Sequence, residues 1–126
     1  MRKPENIKVL VVEDDQLCRL TTVEFLKIMN FQVIDTDNGM QGYIKAKEEQ
    51  PDLILLDVMM PRLDGLTFLT KMVDDDLTMP VIMTTALGQE KDVIAAIKRG
   101  ARDYMVKPID LEVLKEKLEK YLDVSL

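Results

Sequence analysis

The chain of 126 residues contains no histidine, no tryptophan and a single cysteine, Cys18. The lack of histidine excludes Cys/His zinc sites and every Ser-His or Cys-His nucleophile arrangement. One cysteine cannot form an intramolecular disulfide. No apolar run reaches transmembrane length, and the polar first residues lack the apolar segment of a signal peptide. We therefore expect a cytoplasmic protein that is not inserted into a membrane.

Basic residues are also in short supply. Acidic residues outnumber basic residues by 23 to 17, and the resulting net charge of −6 argues against direct binding to the phosphate backbone of a nucleic acid. The length suits one domain with its own core. We predict a single domain over residues 1–126, with a tail from about residue 124 that is either disordered or the cut end of a longer chain.

The most informative stretch is 52–65. Its four consecutive apolar residues, 53–56, are bounded by Pro51 before and Pro61 after, which is typical of a strand buried on both faces in a parallel sheet. The run ends in Asp57. Because ligands of open α/β sheets bind at the carboxyl ends of the strands, Asp57 is either a turn cap or a nucleophile. Taken alone, the stretch favours the cap.

Strand and helix patterns alternate along the rest of the chain. Further strands are predicted at 7–12, 31–34, 80–85 and 102–106. Helices follow each strand, with Asp15, Asp64 and Asp110 at helix starts and Gly100 as a C-cap. This alternation predicts a parallel α/β sheet with helices on both faces. Apolar residues at helical spacing predict the inward helix faces: Leu17, Leu20, Thr21, Phe25 and Ile28; Met40, Tyr43 and Ile44; Leu66, Leu69 and Val73; Val93, Ile94 and Ile97; Leu111, Leu114, Leu118 and Tyr121.

Polar residues follow the predicted strands and would meet at one edge of a parallel sheet. Carboxylates about 4 Å apart repel by about 4 kcal/mol at an effective dielectric constant near 20, so such a cluster needs a cation. Oxygen ligands without histidine or cysteine indicate Mg²⁺. A cation, a hydroxyl and an ammonium around one carboxylate form a phosphoryl-transfer site. The residues concerned are Glu13, Asp14, Asp57, Thr84 or Thr85, and Lys107.

Four motifs stand in order along the chain and carry a resemblance to a known family. The motifs are Val11-Val12-Glu13-Asp14, Asp57-Val58-Met59-Met60-Pro61 with Gly65, Thr85-Ala86, and Tyr104-Met105-Val106-Lys107-Pro108. With them, the sequence resembles the receiver domain of two-component response regulators, of the chemotaxis-regulator type, over nearly its whole length. The resemblance implies a doubly wound (βα)5 sandwich with the parallel strand order 2-1-3-4-5.

The resemblance implies roles for the acidic residues. Asp57 would be the nucleophile that takes a phosphoryl group from a kinase phosphohistidine. Asp14 and Asp57 would bind Mg²⁺ directly, the backbone carbonyl of Met59 would be a third protein ligand, and Glu13 would act through a metal-bound water. Asp15 lies outside this set and is interpreted as a helix cap.

The resemblance also implies a switch. Lys107 would contact a phosphoryl oxygen, and a cis peptide bond would precede Pro108. Thr85, which is followed by alanine, would move its hydroxyl to the phosphoryl group, and Tyr104 would then swing inward. Phosphorylation would thus shift the equilibrium between two conformations of the domain.

One departure from the family pattern concerns the lifetime of the phosphoryl group. Met59 and Leu87 occupy positions where polar side chains in relatives can orient the hydrolytic water. Because neither side chain can hydrogen-bond a water strongly, we expect slow self-dephosphorylation.

The implied partners are a histidine kinase or phosphotransfer protein and a downstream protein target, with the chain a monomer or a phosphorylation-dependent dimer. It would be a signalling switch and not an enzyme that turns over a metabolite. Three alternatives stay open: a receiver excised from a longer transcriptional regulator, a pseudo-receiver that acts without phosphorylation, and an unrelated function on the same fold. Of the last kind, a haloacid-dehalogenase-like hydrolase would need an aspartate at Met59, and a flavodoxin-like carrier would find its phosphate repelled by residues 13–15.

Overall fold

A five-stranded parallel sheet with the order β2-β1-β3-β4-β5 forms the centre of the computed structural model, which describes all 126 residues. This order confirms the predicted fold, and no helix is both long and apolar enough to span a bilayer. The elements are β1 (Lys8–Val12), α1 (Gln16–Ile28), β2 (Gln32–Thr36), α2 (Gly39–Glu49), β3 (Leu53–Asp57), α3 (Gly65–Asp74), β4 (Val81–Thr85), α4 (Glu90–Lys98), β5 (Asp103–Val106) and α5 (Leu111–Leu122).

The sheet separates two cores of 14 buried residues each. Alternate side chains of β3 enter opposite cores, with Leu53 and Leu55 in one and Ile54 and Leu56 in the other. All five residues of β3 are buried, as its uninterrupted apolar run predicts. Helices α1 and α5 cover the first core, and α2, α3 and α4 cover the second.

The inward faces predicted for α1, α2, α3 and α4 are wrong in part. In α1 the buried residues are Thr22, Val23 and Leu26, whereas Leu17 and Ile28 are exposed. The other residues predicted to face inward but found exposed are Leu20, Thr21, Val73, Ile94 and Ile97, together with Met40 and Ile44 of α2.

In α2 and α4, small residues decide which helix face meets the sheet. Ala96 of α4 is fully buried, while its larger neighbours Ile94 and Ile97 point outward. At Gly42 of α2, an added Cβ would lie 2.7 Å from the side chain of Val12. These two helices therefore approach the strands through small residues, a signal that a search for large aliphatic side chains does not detect.

The predicted helix starts are correct. The side chains of Asp15, Asp64 and Asp110 accept hydrogen bonds from backbone N–H groups of the first turns of α1, α3 and α5. At the end of α4 the C-cap is Arg99, and Gly100, the predicted C-cap, has φ 113° and follows it by one residue. Near the end of the chain, Val124 is buried and forms an isolated bridge with Arg2.

Candidate functional site

Three strand ends bring two carboxylates and one ammonium into contact. Asp57 is the last residue of β3, Glu13 follows β1, and Lys107 follows β5. Lys107 Nζ lies 2.9 Å from Asp57 Oδ2 and 2.8 and 3.0 Å from the two carboxylate oxygens of Glu13. These residues are up to 94 positions apart in sequence, yet they meet because parallel strands end at one edge.

The third acidic residue completes a cluster suited to a metal ion. Carboxylate oxygens of Glu13, Asp14 and Asp57 lie within 4.8 Å of one another. Glu13 and Asp57 are each 3% exposed, whereas Asp14 is exposed. With all three acids ionised, the single positive charge of Lys107 does not balance their three negative charges.

Glu13 shows that the ammonium alone does not satisfy this cluster. Its buried Oε1 lies within ion-pair distance of Lys107 but accepts no well-aligned hydrogen bond, and only Oε2 does so. The contact of Oε1 is therefore electrostatic. An under-satisfied, oxygen-only donor set fits a hard divalent cation such as Mg²⁺.

Burial and the second acid change the proton affinity of Asp57. Burial, reinforced by the neighbouring Glu13, raises the pKa of Asp57 to about 7, and Lys107 only partly opposes this. Burial acts on Glu13 in the same direction, but the protonated form of Asp57, the ammonium of Lys107 and the Asp15 N–H all favour its charged form and hold its pKa below the usual value. Burial lowers the pKa of Lys107, yet its bonds to both carboxylates raise it overall, so the lysine stays charged.

Gly65 lets the loop after β3 pack closely against the backbone of Asp57. Its N–H donates to the carbonyl of Val58 at 2.9 Å. An added Cβ would lie 2.8 Å from the carbonyl oxygen of Asp57 and 2.9 Å from the side chain of Met83. Any larger residue would push this loop away, which explains the glycine in the motif around Asp57.

The remaining predicted site residues surround the cluster. The N–H of Met59 donates to Asp57 Oδ1 at 3.3 Å, which places Met59 beside that carboxylate. The N–H of Lys107 donates to the carbonyl of Thr85 at 2.7 Å, and the peptide bond from Lys107 to Pro108 is cis, as predicted. The metal-ligand role of the Met59 carbonyl stays a prediction.

Thr85 and Tyr104, the predicted switch residues, line one groove beside the cluster. The hydroxyl of Thr85 donates to Gln89 Oε1 at 3.0 Å and lies 3.3 Å from the carbonyl of Ala86, and it makes no hydrogen bond to the side chains of Asp57 or Lys107. Tyr104 is 45% exposed and lines a groove of about 440 Å³ together with Thr85. This is the arrangement expected before any inward movement of Tyr104, and the movement itself stays a prediction.

Sequence reasoning missed two residues that organise the site. Arg19 donates to the carbonyl of Glu13 at 2.9 Å and pairs with Asp35 at 3.3 Å, so it ties β1 to β2. Gln89 binds Thr85. The sequence shows Arg19 in the first turns of α1 and Gln89 four residues after Thr85. No local sequence pattern indicates which residues they contact.

Known proteins share this sequence pattern. The family described as response regulator receiver domain matches residues 9–119. The chemotaxis protein CheY of Listeria monocytogenes is 37% identical over 115 residues, covering 90% of this chain and 97% of that protein. CheY of Bacillus subtilis is 36% identical over 117 residues, covering 92% and 98%. A longer relative, the probable C4-dicarboxylate response regulator DctR of Halalkalibacterium halodurans, is 37% identical, but the match covers 54% of its length.

Solved structures agree with the sequence matches. A CheY-like receiver domain protein from Methanospirillum hungatei superposes with a TM-score of 0.86 at 26% identity, covering 93% of this chain and 94% of that one. A response regulator receiver domain protein from Clostridium thermocellum gives 0.84 at 25% identity, with the same coverages. Strand order, charged cluster and matches over most of the chain lead to one conclusion: this protein belongs to the response regulator receiver domain family of two-component systems and is CheY-like.

Proposed function

We propose that the protein is a phosphorylation-controlled switch in which Asp57 accepts a phosphoryl group from a histidine kinase or a phosphotransfer protein. The observation that carries this proposal is the position of Lys107 Nζ, 2.9 Å from Asp57 Oδ2, beside two further acids within 4.8 Å. A buried carboxylate that shares one ammonium with a second acid is suited to nucleophilic attack.

The transfer step uses residues that already contact one another. The ionised Asp57 carboxylate attacks the phosphorus of a phosphohistidine, an O–P bond forms as the P–N bond breaks, and the imidazole leaves with the electron pair. Lys107 is within reach of Asp57 and neutralises charge on a phosphoryl oxygen. Asp14, Asp57 and the Met59 carbonyl would hold Mg²⁺, with Glu13 acting through a water, and the ion would supply positive charge at the phosphoryl oxygens.

The output is a change of surface at the carboxyl end of β4 and along β5. Thr85 shares a groove with Tyr104, so a movement of its hydroxyl toward the phosphoryl group changes the room available to the tyrosine. The movement shifts the equilibrium between two conformations of this surface. The protein acts as a switch and turns over no metabolite. The net charge of −6 favours a protein target over nucleic acid. We place this phosphotransfer in the cytoplasm, with the chain a monomer or a phosphorylation-dependent dimer.

The chemistry is tested with acetyl phosphate, with and without Mg²⁺, by intact mass spectrometry beside an Asp57→Asn variant. The expected result is one phosphoryl adduct that requires both Mg²⁺ and Asp57. The proposal is overturned if an equal adduct forms on the variant, or if neither acetyl phosphate nor a histidine kinase modifies the wild-type protein. The second result would leave the pseudo-receiver alternative.

A further inference from the structure

One side-chain oxygen at the carboxyl end of β4 accepts hydrogen bonds from two consecutive residues. Gln89 Oε1 accepts from the hydroxyl of Thr85 at 3.0 Å and from the N–H of Ala86 at 3.0 Å. Thr85 is 2% exposed, and Gln89 is partly buried. Two adjacent donors that converge on one oxygen form a small site for an electron-rich acceptor, and in this structure the amide of Gln89 fills it.

Gln89 differs from the residues in the same position at the other helices. At α1, α2, α3 and α5 the N-cap side chain accepts from the helix that it begins; these residues are Asp15, Asn38, Asp64 and Asp110. Gln89 precedes α4 but makes no such bond. Its side chain reaches back to the end of β4 instead, so the start of α4 is tied to the strand beside the nucleophile.

The two donors lie next to the nucleophile in the sheet. Thr84 is the register partner of Asp57, and Thr85 and Ala86 follow it directly. The N–H of Val58 donates to the carbonyl of Thr84 at 3.0 Å, so the two strand ends are held together. A phosphoryl group added to Asp57 would bring charged oxygens to this edge, and charged acceptors bind such donors more strongly than a neutral amide does.

We propose that Gln89 is a latch: its amide oxygen occupies the donors of Thr85 and Ala86 until a phosphoryl group on Asp57 competes for them. The proposal rests on the function proposed above and adds a regulatory residue to that site. When the donors leave Gln89, the start of α4 loses its tie to β4. Gln89 lines the same groove as Ile94 and Tyr104, so its release changes the surface on which the switch acts.

The latch makes opposite predictions for two substitutions. Gln89→Ala removes the competing acceptor, so a phosphoryl-like anion should bind about two- to tenfold more tightly, the range expected for the net contribution of one hydrogen bond. Gln89→Glu supplies a charged acceptor that holds the donors more strongly, so the anion should bind more weakly. A residue that merely supported α4 would change affinity in the same direction in both variants.

The experiment measures beryllofluoride binding in the presence of Mg²⁺ by NMR titration of the ¹⁵N-labelled full chain. Two controls separate the latch from simple charge. The double variant Gln89→Glu/Glu90→Gln has the composition and net charge of the wild type but keeps the strong acceptor, so it should bind as weakly as Gln89→Glu. Glu90, whose side chain makes no hydrogen bond or ion pair, is also tested alone as Glu90→Gln, which should stay within about twofold of the wild type.

A second readout needs no ligand. In the free Gln89→Ala variant, the amide proton of Ala86 loses its acceptor, so its exchange with solvent should become faster and its resonance should shift, while Glu90→Gln leaves both unchanged. An unchanged Ala86 amide in Gln89→Ala would mean that the contact is absent in solution, and this would overturn the latch whatever the anion does.

The remaining outcomes separate the latch from the proposed function. If the wild type and Gln89→Ala bind beryllofluoride equally, the latch is wrong and the proposed function stands. If the double variant binds like the wild type, charge and not the acceptor explains Gln89→Glu, which also contradicts the latch. If the wild type does not bind beryllofluoride with Mg²⁺ present, the proposed function is wrong, and so is the proposed competition between Gln89 and a phosphoryl group. The Ala86 amide would still show whether Gln89 contacts Ala86 in solution.

Discussion

Two aspartates at opposite ends of β3 have opposite chemical environments. Before the strand, Asp52 accepts hydrogen bonds from the N–H of Lys8 at 2.8 Å and from the guanidinium of Arg2 at 2.7 Å. Burial acts against its ionisation, but these donors outweigh it and hold the pKa of Asp52 below the usual value. At the other end of the strand, burial and Glu13 raise the pKa of Asp57 to about 7.

The difference shows what separates a structural carboxylate from a reactive one. Asp52 has a backbone donor and a guanidinium to itself, so its charge is satisfied within the protein. Asp57 shares one ammonium with a second acid, so its charge is only partly compensated. A carboxylate in the second situation has residual affinity for a cation, a proton or a phosphoryl group, and parallel sheets place such residues at the carboxyl edge.

Phosphoryl uptake should separate the two aspartates completely. Asp57→Asn should form no adduct with acetyl phosphate and Mg²⁺, because the nucleophile is gone. Asp52→Asn should react at a rate within about threefold of the wild type, since Asp52 touches none of the reacting groups. Intact mass against time measures both. A loss of adduct formation in Asp52→Asn, with the fold intact by circular dichroism, would contradict the contrast.

Removing the cation at each end should give unequal losses of stability. Lys107→Met leaves Glu13 and Asp57 buried without compensation and should lower the free energy of unfolding by about 2–4 kcal/mol at pH 8 without Mg²⁺. Arg2→Met, at a pair whose arginine side chain is 43% exposed, should cost about 0.5–1 kcal/mol. Urea unfolding followed by circular dichroism measures both variants. Equal losses would mean that the two ends are electrostatically alike.

Neutralising each aspartate should change stability in opposite directions. The pKa of folded Asp57, about 7, lies above its ordinary value of 3.8. The contribution of Asp57 to the free energy of unfolding is therefore fully present below pH 3.8 and is lost as the pH rises to about 7. Without Mg²⁺, Asp57→Asn should be more stable than the wild type by about 1–2 kcal/mol at pH 8, and this gain should shrink toward pH 4.

Asp52 should show the reverse. The pKa of Asp52 is lowered in the folded state. Its contribution to the free energy of unfolding is therefore present above pH 3.8, its ordinary pKa, and is lost only as the pH falls through the folded-state pKa. Asp52→Asn should therefore be less stable by about 0.5–1 kcal/mol at pH 7, and the loss should persist down to about pH 4. Urea midpoints from pH 4 to pH 8 test both variants. If both variants changed stability in the same direction relative to the wild type, the comparison would be wrong.

The smallest expected effect concerns the lifetime of the phosphoryl group. Met59 and Leu87, 57% and 83% exposed, offer no strong hydrogen-bonding group to a hydrolytic water. Met59→Asn should shorten the aspartyl-phosphate lifetime about three- to tenfold, because an amide can orient that water. Met40→Asn, at an exposed methionine of α2, is the matched control and should leave it unchanged. A wild-type lifetime of only seconds would contradict the premise of slow hydrolysis.

The predicted helix faces show where sequence patterns were insufficient. In α4, Ile94 and Ile97 follow helical spacing as well as the buried residues do, yet Val93 and Ala96 meet the sheet. Periodicity identifies the helix, but two stripes can satisfy it. Close packing then selects the stripe with the smaller side chains, and this choice depends on how near the sheet lies.

The sequence by itself determined the order of strands and helices, the caps at Asp15, Asp64 and Asp110, and the strand ends at which Glu13, Asp57 and Lys107 stand. These features depend on local periodicity, on local hydrogen bonding and on the common direction of parallel strands. Only the tertiary structure decided the inward helix faces, the sharing of one lysine by two acids, and the bond from Gln89 to Thr85. Each of these depends on distances between segments that are remote in sequence or joined by a loop, and no local pattern encodes such distances.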